Sequence, residues 1–182
     1  VFGFFNMIKK LFKEKKPDYI SVVFDSPVPT FRHKIYEEYK IQREKMPESL
    51  RNQIKIIKEI CEKTGIQVFQ YEGYEADDII ANLSVKVSKE NIKVMIMTSD
   101  KDMIQIVNDN VYIYKIGKDR ETILTPENVK EKYGIEPHEI VDVLALMGDS
   151  SDNIPGVKGI GEKTAIKLVK QYKNVDNILQ NV

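Results

Sequence analysis

Cysteine and histidine are scarce in this chain and net charge is absent: its 182 residues hold one cysteine and two histidines, and 28 basic side chains meet 28 acidic ones. A single thiol, Cys61, excludes a disulfide framework, and with two histidines it leaves too few ligands for a typical structural zinc site. A reducing, cytoplasmic setting fits this usage. No apolar run approaches the ~20 residues needed to span a bilayer, and the opening Val1-Phe2-Gly3-Phe4-Phe5 lacks the flanks of a signal peptide, so no membrane partner is expected. Zero net charge means that any polyanion must be met by local patches and not by overall attraction. Internal repeats and low-complexity linkers are missing too. With 42% hydrophobic residues, the chain can nonetheless bury a proper core.

What the chain does have is carboxylate in clusters: Asp25; Glu75 with Asp77 and Asp78; Asp100 with Asp102; Asp149 with Asp152. Like charges gathered at one spot repel, and a hard divalent cation is the natural guest among them. The pattern along the chain sharpens this. Helical periodicity runs from residue 2 to 16, followed by a buried strand at Tyr19–Phe24. A helix opens at Pro47 and runs to Lys63, with Leu50, Ile54, Ile57 and Ile60 or Cys61 on one face and Gly65 as its stop. Then come a strand at 66–70, a helix at 76–89, a strand at 93–97, a short helix at 101–107 and a strand at 111–114. This alternation predicts an α/β fold with a mainly parallel sheet covered on both faces. In such sheets ligands bind beyond the carboxyl ends of the strands. Asp25, the Glu75 group and the Asp100 group all follow strands, so they are expected at one edge. From Thr125 on the pattern is helical, at 126–133, 137–147 and 162–172.

Capping alone explains one or two acids at the start of a helix, but not three in the four residues from Glu75 to Asp78. Asp100, Asp102, Asp149 and Asp152 each have a bland reading as cap or turn residues, and gain weight from the ensemble. Gly156-Val157-Lys158-Gly159-Ile160-Gly161-Glu162-Lys163-Thr164 has glycines that let amides approach an anion at a helix start. It is one residue too long for the phosphate-binding loop of nucleotide enzymes and no strand precedes it, so no nucleotide cofactor is expected. A hairpin between two helices that grips a nucleic-acid backbone fits better. From Arg32 to Lys45, five basic residues oppose three acidic ones and interleave with Phe31, Tyr36 and Tyr39, a composition suited to phosphate contacts and base stacking. A solvated helix face has the same look, and His33 carries no catalytic role.

Phe24-Asp25-Ser26, Thr30-Phe31-Arg32-His33, Glu38-Tyr39-Lys40, Gly73-Tyr74-Glu75-Ala76-Asp77-Asp78, Asp100-Lys101-Asp102 and the run from Gly148-Asp149 to Ala165 resemble, in order and over nearly the whole chain, the 5′-nuclease domain of bacterial DNA polymerase I, in the flap endonuclease superfamily. The resemblance implies a Rossmann-like nuclease core over 1–120, an arch at about 28–48, and a helix-hairpin-helix subdomain over 121–182. It implies 5′-to-3′ exonuclease and 5′-flap endonuclease action on DNA by a monomer, through two-metal hydrolysis with Mg²⁺ or Mn²⁺. Asp25, Glu75, Asp77, Asp78, Asp100, Asp102, Asp149 and Asp152 fall on metal-ligand positions. Lys40 and Arg43 fall on the arch, where they orient and polarise the scissile phosphate. Arg32, Lys34 and Tyr39 belong to the DNA-contacting segment. Gly156, Lys158, Gly159, Gly161, Lys163 and Thr164 fall on the hairpin that holds the duplex, with K⁺ as its monovalent cation. The family begins with a strand carrying one more ligand aspartate and continues past the hairpin, so the resemblance also implies a fragment. Its alternative is a catalytically impaired DNA-binding fragment.

Overall fold

A computed structural model of the chain describes residues 1–116 and 121–181. The expected core boundary at residue 120 lies outside the described residues. Two compact units form: one joins Val1–Ile35 with Gln42–Ile79, the other joins Tyr36–Ile41 with the chain from Ile80 onward.

The first unit opens with α1 (Phe2–Lys15), whose Ile8 and Leu11 lie one helical turn apart and are buried. Lys16 ends it in the left-handed conformation, φ 46°, immediately before Pro17, which disfavours a further helical residue. β1 (Ser21–Val23) pairs in parallel with β2 (Gln67–Phe69), Val22 opposite Val68. Between them lie α2 (Phe31–Ile35) and α3 (Glu48–Lys63). The helix α2 falls in the polar stretch where none was expected. Its start is closed locally, with the Thr30 amide donating to Nδ1 of His33 at 3.1 Å. On α3, Ile57 and Cys61 are buried but Leu50 is 44% exposed, so only the C-terminal part of the expected stripe turns inward. Burial pushes the Cys61 thiol pKa up. Gly65, at φ +76°, supplies the left-handed turn into β2. The first turn of α4 (Ala76–Ser88) completes this unit.

In the second unit β3 (Val94–Met97) pairs in parallel with β4 (Val111–Ile116), Ile96 opposite Ile113. The α/β class and the parallel pairing follow the alternation read from sequence. β5 (Glu121–Leu124), which was not anticipated, returns antiparallel along β4 with Leu124 opposite Ile113. The segment expected as a short helix at 101–107 is a 3₁₀ turn, Asp102–Ile106, that buries Met103 and Ile104. Helices α5 (Pro126–Tyr133), α6 (Ile140–Met147), α7 (Glu162–Tyr172) and α8 (Val175–Leu179) follow, a 3₁₀ turn Pro137–Glu139 preceding α6. Thr125 caps α5 in a capping box with Asn128, and Gly134 ends it at φ 69°. The 148–155 connection is itself ordered as a two-residue ladder, β6 (Gly148–Asp149) against β7 (Ile154–Pro155). The sheet residues Ile96, Val111, Ile113 and Leu124 and the helix residues Val143, Leu146, Ala165 and Val169 belong to one continuous core. Among the described residues no helix is long and apolar enough to cross a membrane.

Candidate functional site

Each unit carries four of the eight acids. In the first, Asp25 stands just past β1, and its Oδ1 accepts the amide of Ala76, the first residue of α4, at 2.8 Å. A carboxylate is favoured there by the open amides and dipole of the helix start. Asp78, in the same first turn, accepts the Glu75 amide on Oδ2 at 3.0 Å and takes both terminal nitrogens of Arg32, each at 2.7 Å. The Arg32 guanidinium lies 4.6 Å from the centre of the Phe31 ring. Bidentate geometry of this kind fixes both partners. Arg32 and Asp78, expected as a DNA contact and a metal ligand, are thus brought together as a pair. The turn is pinned by Ser26, whose Oγ accepts the Gly73 amide at 3.0 Å. Glu75 and Asp77 are half-buried beside it, while Lys34 and Arg43 are exposed.

In the second unit, Asp100 follows β3 and its Oδ1 accepts the Asp102 amide at 2.9 Å. Asp149, on β6, accepts the amide and hydroxyl of Ser151 at 2.7 and 2.6 Å, and Nζ of Lys101 lies 4.0 Å from its Oδ2. Burial raises the Asp149 pKa, but the Ser151 bonds, the Lys101 charge and the Asp152 amide outweigh it and hold the carboxyl below its usual range. Asp102 has the opposite environment. Its Oδ1 is buried and has no hydrogen-bond partner. Burial first, then the charges of Asp100, Asp149 and Asp152 against the opposing Lys101, push its pKa up to about 6. Asp152 accepts the Tyr39 hydroxyl on Oδ2 at 3.0 Å, with Nζ of Lys40 3.6 Å from the same oxygen.

Among the described residues no three histidine, cysteine or acidic side chains stand ready to hold one ion. The carboxylates instead take amides and cations. The donor set still fits a hard cation: four carboxylates share one electrostatic neighbourhood, and one oxygen among them is buried and orphaned, a state that costs ~1–3 kcal/mol unless something compensates it.

The glycine-rich run divides into two roles. Gly156 is packed so tightly that a Cβ there would lie 2.2 Å from the Met147 carbonyl and 2.6 Å from the Gly148 amide nitrogen; it holds β6 and β7 together. Gly159, at φ +85° with open space around it, turns the chain, and the Ile160 amide donates to the Val157 carbonyl at 3.0 Å. Gly161 begins α7 without a side-chain cap. Lys158, Gly159, Gly161, Lys163 and Thr164 are all exposed.

Sequence reasoning missed Lys101, Lys115, Ser26 and Asn153. Lys115 donates to the Ser99 carbonyl at 3.3 Å; burial and then Lys132 lower its pKa while Asp100 raises it. Only Lys101, lying between two acids, carried a signal.

A family model of the 5′-3′ exonuclease N-terminal resolvase-like domain matches residues 1–134, and one of the 5′-3′ exonuclease C-terminal SAM fold matches 135–182. A 5′-3′ exonuclease of Aquifex aeolicus is 47% identical over 181 residues, covering all of this chain and 62% of that protein. DNA polymerase I of Bacillus subtilis is 44% identical over 184 residues, covering all of this chain and 21% of the polymerase. The chain therefore spans less than two thirds of these relatives. The structure of T5 5′-exonuclease with divalent zinc ions bound superposes with a TM-score of 0.81 at 26% identity, over 99% of this chain and 70% of that one. The bacteriophage T5 flap endonuclease, in a pseudo-enzyme-product complex with DNA and metal ions, gives the same TM-score and identity over 97% and 68%. Two adjoining family matches spanning both units, and relatives at well above 30% identity, make this chain a member of the 5′-3′ exonuclease family.

Proposed function

We propose that the chain carries the cutting part of a structure-specific 5′ nuclease, a phosphodiesterase that hydrolyses DNA at a 5′ end or flap with two divalent ions, Mg²⁺ or Mn²⁺. What supports this reading is Asp102: a half-buried carboxylate among three others, with one oxygen buried and unpartnered, is tolerable in a fold if a cation uses it. Asp100, Asp102, Asp149 and Asp152 in the second unit, and Asp25, Glu75, Asp77 and Asp78 in the first, are the proposed ligand positions. Ions bound there supply an activated water and stabilise the charge on the attacking and leaving oxygens. Lys40 and Arg43 orient and polarise the scissile phosphate. The exposed Gly159 and Gly161, with Lys158, Lys163 and Thr164, grip the backbone of the duplex. The proposal keeps the expected division of labour, nuclease core over 1–120 and hairpin subdomain over 121–182.

Labelled 5′-flap DNA incubated with the chain in Mg²⁺, Mn²⁺ or chelator tests this. Cutting near the junction is expected only with the divalent ions, and Asp102→Asn should slow it at least a hundredfold while leaving DNA affinity within about twofold. Parental cleavage by Asp102→Asn would sink the assignment. Binding without cutting in either metal would replace it by the DNA-binding-fragment reading.

A further inference from the structure

The 36–41 segment and the 149–153 loop are more than a hundred residues apart in sequence, yet both belong to the second unit and are stitched together residue by residue. Tyr39 is 4% exposed, and its hydroxyl donates to Asp152 Oδ2 at 3.0 Å. The Lys40 amide donates to the Asp152 carbonyl at 3.0 Å. The Lys40 ammonium lies 3.6 Å from that same Oδ2 and 4.8 Å from the Tyr39 ring centre. Asn153 Nδ2 donates to the Glu38 carbonyl at 2.8 Å. Lys40 and Asn153 both hold positive φ, 55° and 57°, a conformation that non-glycine residues keep only where surrounding contacts over-determine it. Of the five non-glycine residues at positive φ among the described residues, these two lie on this seam.

We infer that this seam is a latch: Lys40 and Tyr39 occupy the Asp152 carboxylate, and a divalent cation must compete with them for it, so that cation binding is what frees Lys40 to meet a phosphate. The inference rests on the metal-dependent reading above. Its physics is a shared acceptor. One carboxylate oxygen that serves an ammonium and a phenol at once cannot also turn fully to a cation, and the ammonium repels that cation besides. Tyr39 is a positioning residue here. Its ring carries the lysine and its hydroxyl orients the acid, so it sets where Lys40 starts from without touching substrate. Reciprocity follows, because a ligand that weakens the Lys40–Asp152 contact must be bound more tightly when that contact is gone.

The probe is Mn²⁺ alone, titrated calorimetrically into the whole chain without DNA. Lys40→Met, which keeps the length of the side chain and removes its charge, should bind Mn²⁺ about threefold or more tightly than the parent, the scale of a partly exposed ion pair. Tyr39→Phe, which keeps the buried ring, should shift affinity in the same direction by less. Lys9→Ala, an exposed lysine on α1, should leave it unchanged and so separates the local contact from the loss of one charge. Thermal melting of each variant checks that the fold persists. Parental or weaker Mn²⁺ affinity in both Lys40→Met and Tyr39→Phe overturns the latch while leaving the nuclease reading standing. No Mn²⁺ binding by the parent overturns both.

Discussion

Asp102 pits stability against chemistry within one side chain. Its folded pKa of about 6 lies above that of an unfolded aspartate, ~3.9. Between these values the folded chain holds a proton that the unfolded chain has lost, so stability falls as pH rises through this window and stays low above it. Asp102→Asn should therefore melt higher than the parent at pH 7.5 in chelator, by about 1 to 2 kcal/mol once solvent screening is allowed for. The gap should close below about pH 4. Melting curves at pH 4 and pH 7.5 check this, and Mg²⁺ should raise the parent's midpoint more than the mutant's. The variant expected to lose cleavage is thus also expected to gain stability, which separates loss of chemistry from loss of fold. Arg32 offers the complementary case. Its bidentate bond to Asp78 joins side chains 35% and 22% exposed, so Arg32→Ala should destabilise by about 1 to 2 kcal/mol in urea unfolding, between the surface and buried limits. Arg32→Lys should not restore the loss, because an ammonium cannot take both oxygens in the plane that the guanidinium fits.

At the scale of elements, most of the fold was legible because it follows from periodicity. The helices α1, α3, α4, α5 and α7 and the strands β1 to β4 carry the apolar spacings that name them, and the parallel pairing follows from their alternation. What was illegible is either too short to carry a period or depends on contacts remote in sequence. Val111–Ile116 pairs antiparallel with β5, whose four residues are too few to carry a periodic signal. The helix α2 is five residues long, too short for a periodic signal, and is held by Thr30 and His33. The acids could be named from the sequence as a set, but not their pairings: nothing in the order of residues says that Asp78 meets Arg32 or that Asp152 meets Tyr39. Glycines show the same divide. Gly148, Gly156 and Gly159 look alike in sequence, yet an added Cβ at Gly156 would strike the backbone of Met147 and Gly148, whereas at Gly159 it meets open space. Gly156→Ala should cost about 3 kcal/mol and open the β6–β7 ladder to hydrogen exchange. Gly159→Ala should cost about 1 kcal/mol, from its positive φ alone. Equal losses in chemical denaturation would refute the division of roles between them.

Across the sequence, 28 basic and 28 acidic residues cancel, so net charge does not draw DNA to the chain and any affinity is expected from contacts in small patches. The patch proposed above is the hairpin with the first turn of α7, where Lys158, Lys163 and Thr164 are exposed and the helix starts without a side-chain cap. Each lysine there that neutralises a phosphate releases about one counterion, so the steepness of the salt dependence counts the lysines in contact. Lys163→Ala should weaken binding to duplex DNA of any sequence and lower the slope of log affinity against log salt by about 0.9, the contribution of one phosphate on B-form DNA. Because that contact is itself screened, mutant and parent should converge as salt is raised. Lys86→Ala, on α4 and exposed, removes the same charge from a different surface and should leave the slope unchanged. With net charge at zero, a general electrostatic effect would give the two variants equal losses, and a local grip would give a loss at Lys163 alone. Binding isotherms at four salt concentrations separate these outcomes, and a slope that Lys163→Ala does not move would remove the hairpin lysine from the DNA contact.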